Sequence, residues 1–586
     1  MRRGLFVAFI ALIAALPALP VPEFWITQMN YIGLYALVAI GLVLLTGIVG
    51  LTSFGQAAFV GIGAYTAAYL ATKAGVSPWL TLPIGLAITA ASALVLGWIT
   101  LRMSGHFLPL ATIAWGLALY YWLGNIEALG KYDGLLGIPP IHLGSTPLNT
   151  GRSFFWLLWL FVIVAALLVQ NLLDSRPGRA LRALKGGTTM AEAMGVDSYG
   201  YKVAAFVIAA LLASLSGWLF AHFQRTVNPS PFGLNMGIQY LFMAVVGGVG
   251  HVWGALAGAG LAKLLADQLQ VVLPKLLGGS GNYEIIVFGI VLVLALQYAR
   301  DGVWAFVEGW LPPRRRAADW RRAAALPESV KPSPGEVVLD VQAVRKEFGG
   351  LIAVNDVSFR VCAGEIVGLI GPNGAGKSTL FNLVTGVLPL TRGGVSLRGQ
   401  PVAGRPSREI ARRGVSRTFQ HVKMVPAMSV LENVALGAHR RGARGTLAAM
   451  LRLDRAEERR LLHEAERQLR RIGIHELMHE QAGNLSLGKQ RLMEIARALA
   501  GDPSLLLLDE PAAGLRHKEK QALADALRQL RGEGISILLV EHDMDLVMSV
   551  TDRVVVMEFG TKLMEGTPAE VQASPKVRAA YLGTEH

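Results

Sequence analysis

Apolar positions between residues 4 and 299 come in long, nearly unbroken blocks rather than in the alternating or three-to-four spacing of a half-buried element. Blocks near 4–20, 31–50, 51–72, 79–101, 107–126, 154–173, 202–223 and 284–299 each approach the ~20 residues that an α-helix needs to cross a hydrocarbon layer of about 30 Å. The block 237–270 is too long for one crossing, and Gly247-Gly-Val-Gly-His251 is placed to break it in two. The pattern predicts a polytopic α-helical membrane domain over residues 1–311 with about ten spans. From residue 337 to 586 it changes to short apolar runs between charged, amphipathic stretches, the signature of a separate α/β domain.

Between the two, residues 312–336 are rich in Pro, Arg and Ala and have no apolar period. They predict a flexible cytoplasmic linker with a reach of about 25–30 Å on a square-root estimate. Trp304, Phe306, Trp310 and Trp320 are expected to hold its start at the membrane interface, as amphipathic aromatics do.

Composition sharpens this division. The chain has 586 residues, 53% of them hydrophobic, too many for an average soluble protein. Its formal net charge of +14 is carried largely by short loops beside apolar blocks and by residues 300–322. Such residues set orientation and touch anionic lipid headgroups, and no groove-reading element accompanies them, so a nucleic-acid partner is not expected. If the spans alternate, Arg2, Arg3, Arg102, Arg176, Arg179, Arg182, Lys185 and Arg300 share one side, which the positive-inside rule makes cytoplasmic. An even count returns the chain to that side and leaves the second domain there. Arg2 and Arg3 before residues 4–16 also fit a cleaved signal peptide; a retained span is the expectation, because it keeps the count even. The single Cys362 excludes an intrachain disulfide framework and gives no support to a cysteine-based zinc site.

Two stretches of the membrane half carry candidate function. In Gly47-Ile-Val-Gly-Leu-Thr-Ser-Phe-Gly-Gln-Ala-Ala-Phe-Val-Gly-Ile-Gly-Ala-Tyr65, small residues allow close helix contact or a break beside a cavity. Thr52, Ser53 and Gln56 are its candidate transport-path residues, with plain packing the alternative for the glycines. Residues 175–202 form the longest basic loop between spans, and Ala191-Glu-Ala-Met-Gly195 predicts a short helix closed by glycine. Glu192, Ala193 and Gly195 are its candidate coupling residues; the alternative is a solvated loop held by lipid charge.

The chemistry lies in the second half. Glu365-Ile-Val-Gly-Leu-Ile370 reads as a buried strand leading into Gly371-Pro-Asn-Gly-Ala-Gly-Lys-Ser378, with a helix following from Thr379. This is the P-loop pattern in its strand–loop–helix context, in which backbone N–H groups wrap phosphates. Gly371, Asn373, Gly374, Gly376, Lys377, Ser378 and Thr379 are therefore the candidate ATP-binding set, with Lys377 reaching the β and γ phosphates and Ser378 ligating Mg²⁺. Leu505-Leu-Leu-Leu-Asp-Glu510 is a second buried strand, with Asp509 placed for Mg²⁺ and Glu510 for the attacking water. Ile537-Leu-Leu-Val-Glu-His542 is a third, with His542 on the γ-phosphate side. Gln420, after Arg417-Thr-Phe, is placed to sense metal and water. Leu485-Ser-Leu-Gly-Lys-Gln-Arg491 heads a long amphipathic helix whose Ser486 and Gly488 make an anion site for a second nucleotide.

In this order, P-loop, Gln420, Leu485–Gln490, Asp509-Glu510 and His542 resemble an ABC transporter ATPase, which makes the second domain an α/β P-loop ABC cassette over 337–586. The resemblance implies that Phe348 in Lys346-Glu-Phe-Gly stacks on adenine and that two cassettes sandwich two ATP molecules. Ser416-Arg-Thr-Phe-Gln, Glu494-Ile-Ala-Arg-Ala-Leu, Glu510-Pro-Ala-Ala-Gly-Leu and Ala579-Ala-Tyr-Leu-Gly resemble the branched-chain amino-acid importers. Gly61-Ile-Gly-Ala-Tyr65 and residues 175–206 resemble their permease subunit, so the chain reads as a permease–ATPase fusion. Two departures bear on the equivalence of the two ATP sites: Leu487 replaces the second Gly of Leu-Ser-Gly-Gly-Gln, and Arg516 stands where many such ATPases have Asp. The resemblance implies ATP-driven import of branched-chain or other small hydrophobic amino acids across a bacterial inner membrane, with urea or short amides as alternative cargo. It also implies a second permease and ATPase subunit, or a second copy of the chain, and an extracytoplasmic substrate-binding protein. An exporter would favour six long spans, and a membrane-tethered regulatory ATPase would show turnover without transport.

Overall fold

A computed structural model of the chain describes residues 2–103, 107–277, 283–298, 302–310 and 319–582. Arg300, residues 312–318 of the expected linker and Gly583 lie outside them. The chain separates into two compact units, Met1–Asp174 with Tyr199–Ala317, and Ser175–Ser198 with Ala318–His586.

In chain order the first thirteen helices are α1 (Arg2–Ala15), α2 (Glu23–Leu42), α3 (Gln56–Lys73), α4 (Pro78–Thr100), α5 (Phe107–Asn125), α6 (Gly151–Leu173), α7 (Arg176–Lys185), α8 (Thr188–Ala193), α9 (Ser198–Gln224), α10 (Leu234–Gly248), α11 (Val252–Leu277), α12 (Tyr283–Tyr298) and α13 (Gly302–Trp310). Ten of them, all but α7, α8 and α13, fall on the ten apolar blocks. Among the described residues five helices are long and apolar enough to cross a membrane alone: α2 with its π-helical extension to Ile48, α4, α5, α6 and α9. The pair α10 and α11, bent by 119° at the glycine-rich break, counts as a sixth if taken as one span. The glycine-rich stretch of α3 serves packing. A Cβ on Gly63 would stand 2.2 Å from the Ser214 carbonyl oxygen of α9, and one on Gly217 of α9 would stand 1.9 Å from that of Val60, so the two backbones touch where no side chain fits.

The second unit is built on two sheets. Strands β1 (Val337–Phe348), β2 (Leu351–Cys362), β4 (Arg392–Leu397) and β5 (Gln400–Pro401) form an antiparallel sheet in the order β2-β1-β4-β5. Strands β3 (Ile366–Ile370), β6 (Val415–Arg417), β7 (Leu505–Asp509), β8 (Ser536–Val540), β9 (Arg553–Glu558) and β10 (Thr561–Gly566) form the order β6-β7-β8-β3-β9-β10, parallel except for the last pair. Strands β3, β7 and β8 are buried along their whole length, as their unbroken apolar runs require in a sheet covered on both faces. Helices α14 (Lys377–Val384), α15 (Ser407–Arg412), α16 (Val430–Gly437), α17 (Thr446–Met450), α18 (Arg455–Arg471), α19 (Leu487–Ala500), α20 (His517–Gly532) and α21 (Met544–Val550) complete the part that carries the site. A separate helical core forms where α16, α18 and α19 bring Val430, Val434, Leu461, Ala465 and Ala496 together.

Trp320 belongs to that helical core rather than to a membrane interface. It is 1% exposed, and its indole N–H donates to Glu466 of α18 over 2.7 Å. The described part of the linker, 319–336, is strapped along the same unit. Arg460 donates to the Ala325 carbonyl, Arg467 pairs with Glu328, and Ser329 and Lys331 both bind Asp502. An indole that finds both an apolar slot and an acceptor is held more strongly than one at a wet boundary.

Candidate functional site

Central strand β3 delivers the chain into the glycine-rich loop 371–376, which leads into Lys377, the first residue of α14. Gly376 has φ +94°, and a Cβ there would lie 2.4 Å from the Ala353 carbonyl oxygen, so the loop tolerates no side chain at its last bend. Asn373, Gly374 and Ser378 face outward, and Thr379 is half-buried. The Lys377 ammonium donates back to the carbonyls of Gly371 and Pro372 at 2.7 and 2.9 Å. Burial pushes its pKa down, opposed by the charges of Glu510 and Asp509.

Parallel pairing of β7 and β8 sets Asp509 opposite Val540, so the residues leaving the two strands emerge side by side. Glu510 takes φ +48°, a strained value for a residue with a side chain. Its Oε1 accepts from Gln420 Nε2 at 3.1 Å and lies 2.9 Å from His542 Nε2. Glu510, Gln420 and His542, chosen from three separate stretches of sequence, therefore meet at one oxygen atom. Asp509 is buried beside them, its Oδ1 without a hydrogen-bond partner and its Oδ2 4.0 Å from Arg417. Burial raises its pKa, while the Arg417 charge opposes the rise.

Several residues that hold this cluster lie inside the motifs of the sequence, which assign them no role. Glu541 is buried, accepts from the backbone N–H of Ala512 at 2.6 Å and from that of His542 at 3.0 Å, and so ties the loop after Glu510 to the loop bearing the histidine. Arg491 of α19 donates to the carbonyls of Phe419 and Gln420, fixing the loop that presents the glutamine. Arg417 donates to Asn382 and Thr385 behind the P-loop helix, and burial lowers its pKa to about 10.

Phe348 ends β1 as an exposed ring with the Lys346 ammonium 4.9 Å from its centre. Ser486 stands exposed at the N-cap of α19, while Gly488 is buried against Leu515 and Glu519. Among the described residues no hydrogen bond joins Ser486 or Gly488 to the loop 371–378. Leu487 is half-exposed beside Gly514, and Arg516 caps α20 through its N–H to Glu519 at 2.8 Å.

Segment 175–198 folds with this second unit. Helix α8 ends as expected near Gly195, which takes φ +81° and donates to the Glu192 carbonyl at 2.9 Å. Ala193 is buried, Gly195 packs against Arg440, and Glu192 accepts from Ser198. The ionic anchors of the segment lie on α7. Arg179 makes a two-pronged pair with Glu458 of α18. Arg176 donates to the carbonyls of His439 and Arg444 at 2.9 and 2.6 Å and lies 3.4 Å from Glu457. In sequence these arginines read only as orientation charges.

In the first unit, Thr52, Ser53 and Gln56 lie at the unwound join between the π-helical end of α2 and the start of α3. Ser53 Oγ and both amide atoms of Gln56 are buried without hydrogen-bond partners. The neighbouring Phe54 N–H donates to Thr112 of α5 at 3.2 Å.

Residues 25–296 match the family described as "Branched-chain amino acid transport system / permease component". Residues 354–513 match "ABC transporter" and residues 561–586 match "Branched-chain amino acid ATP-binding cassette transporter". Over 249 residues the chain is 45% identical to the high-affinity branched-chain amino acid transport ATP-binding protein LivG of Escherichia coli (strain K12), spanning 42% of this chain and 98% of that protein. It is 42% identical over 249 residues to the corresponding protein BraF of Pseudomonas aeruginosa, again 42% of this chain and 98% of the relative. The crystal structure of a nucleotide-free ATP-binding cassette from an ABC transporter aligns with 31% identity and a TM-score of 0.38, covering 42% of this chain and 99% of that one. With its first matched stretch running through the helical unit and segment 175–198, and the other two lying on the α/β unit, the chain belongs to the branched-chain amino-acid ABC transporter family and carries the permease and the ATP-binding component in one polypeptide.

Proposed function

We propose that this chain uses ATP hydrolysis to drive the import of branched-chain amino acids. The observation that carries the reading is the convergence of Gln420 and His542 on one oxygen of Glu510, beside buried Asp509, in a chain whose other half matches a permease family. Glu510 orients and deprotonates the attacking water, with His542 and Gln420 holding its carboxylate in place. The glycine loop and Lys377 take the phosphates, and Phe348 offers its exposed ring to the adenine.

The residues fit Mg²⁺ as well as nucleotide, because Asp509 Oδ1 is a buried carboxylate oxygen with no partner and Ser378 faces outward at the start of α14. Ser378, Asp509 and Gln420 would hold the ion, which when bound neutralises charge on the phosphates. Ser486 and Gly488 serve the nucleotide of a second cassette, contributed by a separate subunit or by a second copy of this chain. The complex further includes a second permease and an extracytoplasmic binding protein, sits in the bacterial inner membrane, and receives the cassette's motion through Glu192, Ala193 and Gly195. Thr52, Ser53 and Gln56 belong to the transport path.

Uptake of labelled leucine in cells lacking the chain, complemented with the wild-type gene, tests the reading, with labelled urea in parallel. Wild-type restores leucine entry and Lys377→Ala does not, while Glu510→Gln binds ATP but no longer turns it over. Restored urea entry without leucine entry would overturn the cargo, and normal turnover by Glu510→Gln would overturn the role of the glutamate.

A further inference from the structure

Lys263 and Asp267 stand one turn apart in the interior of α11, a helix that is otherwise largely apolar. Ionisable side chains are costly at such a place and mark sites where they face a cavity or a ligand. The Lys263 ammonium donates to Asp267 Oδ1 and lies 5.4 Å from the centre of the Tyr31 ring on α2. Asp267 Oδ2 is buried and has no hydrogen-bond partner. The pair borders a cavity of about 230 Å³ between α2, α10 and α11, whose apolar wall includes Phe242, Met243, Ala262 and Ala266. Tyr35, Gln239 and Gln270 complete the lining, and within it one anionic acceptor, one cationic donor and an apolar wall match a molecule with an ammonium, a carboxylate and an aliphatic side chain.

We infer that this cavity is a station for the zwitterionic amino acid in transit. Asp267 Oδ2 accepts from its α-ammonium, the Lys263 ammonium donates to its α-carboxylate, and Phe242, Met243, Ala262 and Ala266 enclose its side chain. The inference rests on the amino-acid import reading and adds the atoms that recognise the cargo. It also separates cargoes, because an amide or urea lacks one or both charges and leaves a buried partner unpaired.

The test uses the full chain in lipid nanodiscs, with Cys362→Ser and Ala266→Cys making the cavity position the sole thiol. The rate of its modification by a small cationic thiol reagent is the readout. L-Leucine at ten times its dissociation constant should slow modification about tenfold, by simple occupancy. Leucinamide, which lacks the carboxylate, and 4-methyl-2-hydroxypentanoate, which lacks the ammonium, should protect far less. Adding Asp267→Asn or Lys263→Gln should remove protection by leucine. The comparison between leucine and its two analogues needs neither charge variant, so it holds even if those fail to fold. Equal protection by all three compounds overturns the charge assignment. Absence of protection in a chain that restores leucine uptake in cells overturns the site and leaves the import reading intact, whereas absence of both overturns the two together.

Discussion

Replacing Arg179 by alanine is the most direct probe of how segment 175–198 is held by the second unit. The Arg179 and Glu458 side chains are 1% and 5% exposed and meet through both guanidinium nitrogens and both carboxylate oxygens, one of the contacts at 3.0 Å. Arg179→Ala takes the two-pronged guanidinium partner from the buried Glu458 carboxylate, at a cost of about 3–5 kcal/mol. At about 1.4 kcal/mol per tenfold, the docked state of the segment loses roughly two to three and a half orders of magnitude in its equilibrium. Docking survives in part, because Arg176 keeps its bonds to the His439 and Arg444 carbonyls. The assay is leucine uptake and ATP turnover measured together in proteoliposomes containing the partner subunits. Uptake per ATP should fall at least about tenfold while turnover continues, since the Glu510 cluster shares no residue with the pair. The double variant Arg179→Met with Glu458→Leu replaces the ion pair by apolar groups of similar size and should recover most of the loss, since such replacements are often neutral. A wild-type uptake-to-turnover ratio in Arg179→Ala, or a double variant as impaired as the sum of its singles, would refute the reasoning.

Other expectations can be checked on the purified chain. Gly376→Ala forces a methyl group against the Ala353 carbonyl at 2.4 Å in a left-handed backbone, and nucleotide affinity by fluorescence titration should fall at least about a hundredfold. Trp320→Ala empties a fully buried slot and strands Glu466 without its indole donor. A loss of about 3–5 kcal/mol should lower the calorimetric transition of the second unit by about 10 °C. For Asp502, burial works to raise the pKa but is outweighed by the Lys331 ammonium and the Ser329 donors, which bring it down from 3.8 to about 2. A carboxylate with a depressed pKa stabilises the fold above 3.8 and loses that contribution as the pH falls toward about 2. Asp502→Asn should therefore be less stable near neutral pH and show a flatter acid limb in denaturant midpoints measured against pH.

The division into an apolar helical half and an α/β half, the ten helical blocks and the nucleotide chemistry were legible in the linear chain because each rests on local order. A block of about twenty apolar residues has few fates other than a buried helix or a span. A glycine loop between a buried strand and a helix turns its backbone N–H groups toward one point, an arrangement suited to phosphate and set by local sequence. The position of Asp509, Glu510 and His542 at strand exits was legible for the same reason, since each follows an apolar run whose comfortable place is the middle of a covered sheet. Tertiary structure decided what lies between distant stretches. Arg179 finds Glu458 across 279 positions, and nothing in the local sequence distinguishes it from a basic residue beside lipid. Trp320 follows a membrane block as an interfacial aromatic would, yet α16 and α18 build an apolar slot with an acceptor at its end, and the indole enters that slot instead. Glu541 and Arg491 hold the loops that carry Glu510, His542 and Gln420 through backbone groups, a role set by where a chain turns rather than by residue type. Helix period alone sets Lys263 and Asp267 on one face of α11. Only the packing of α2, α10 and α11 puts a cavity before them, because a cavity belongs to the spaces between elements and not to any one of them.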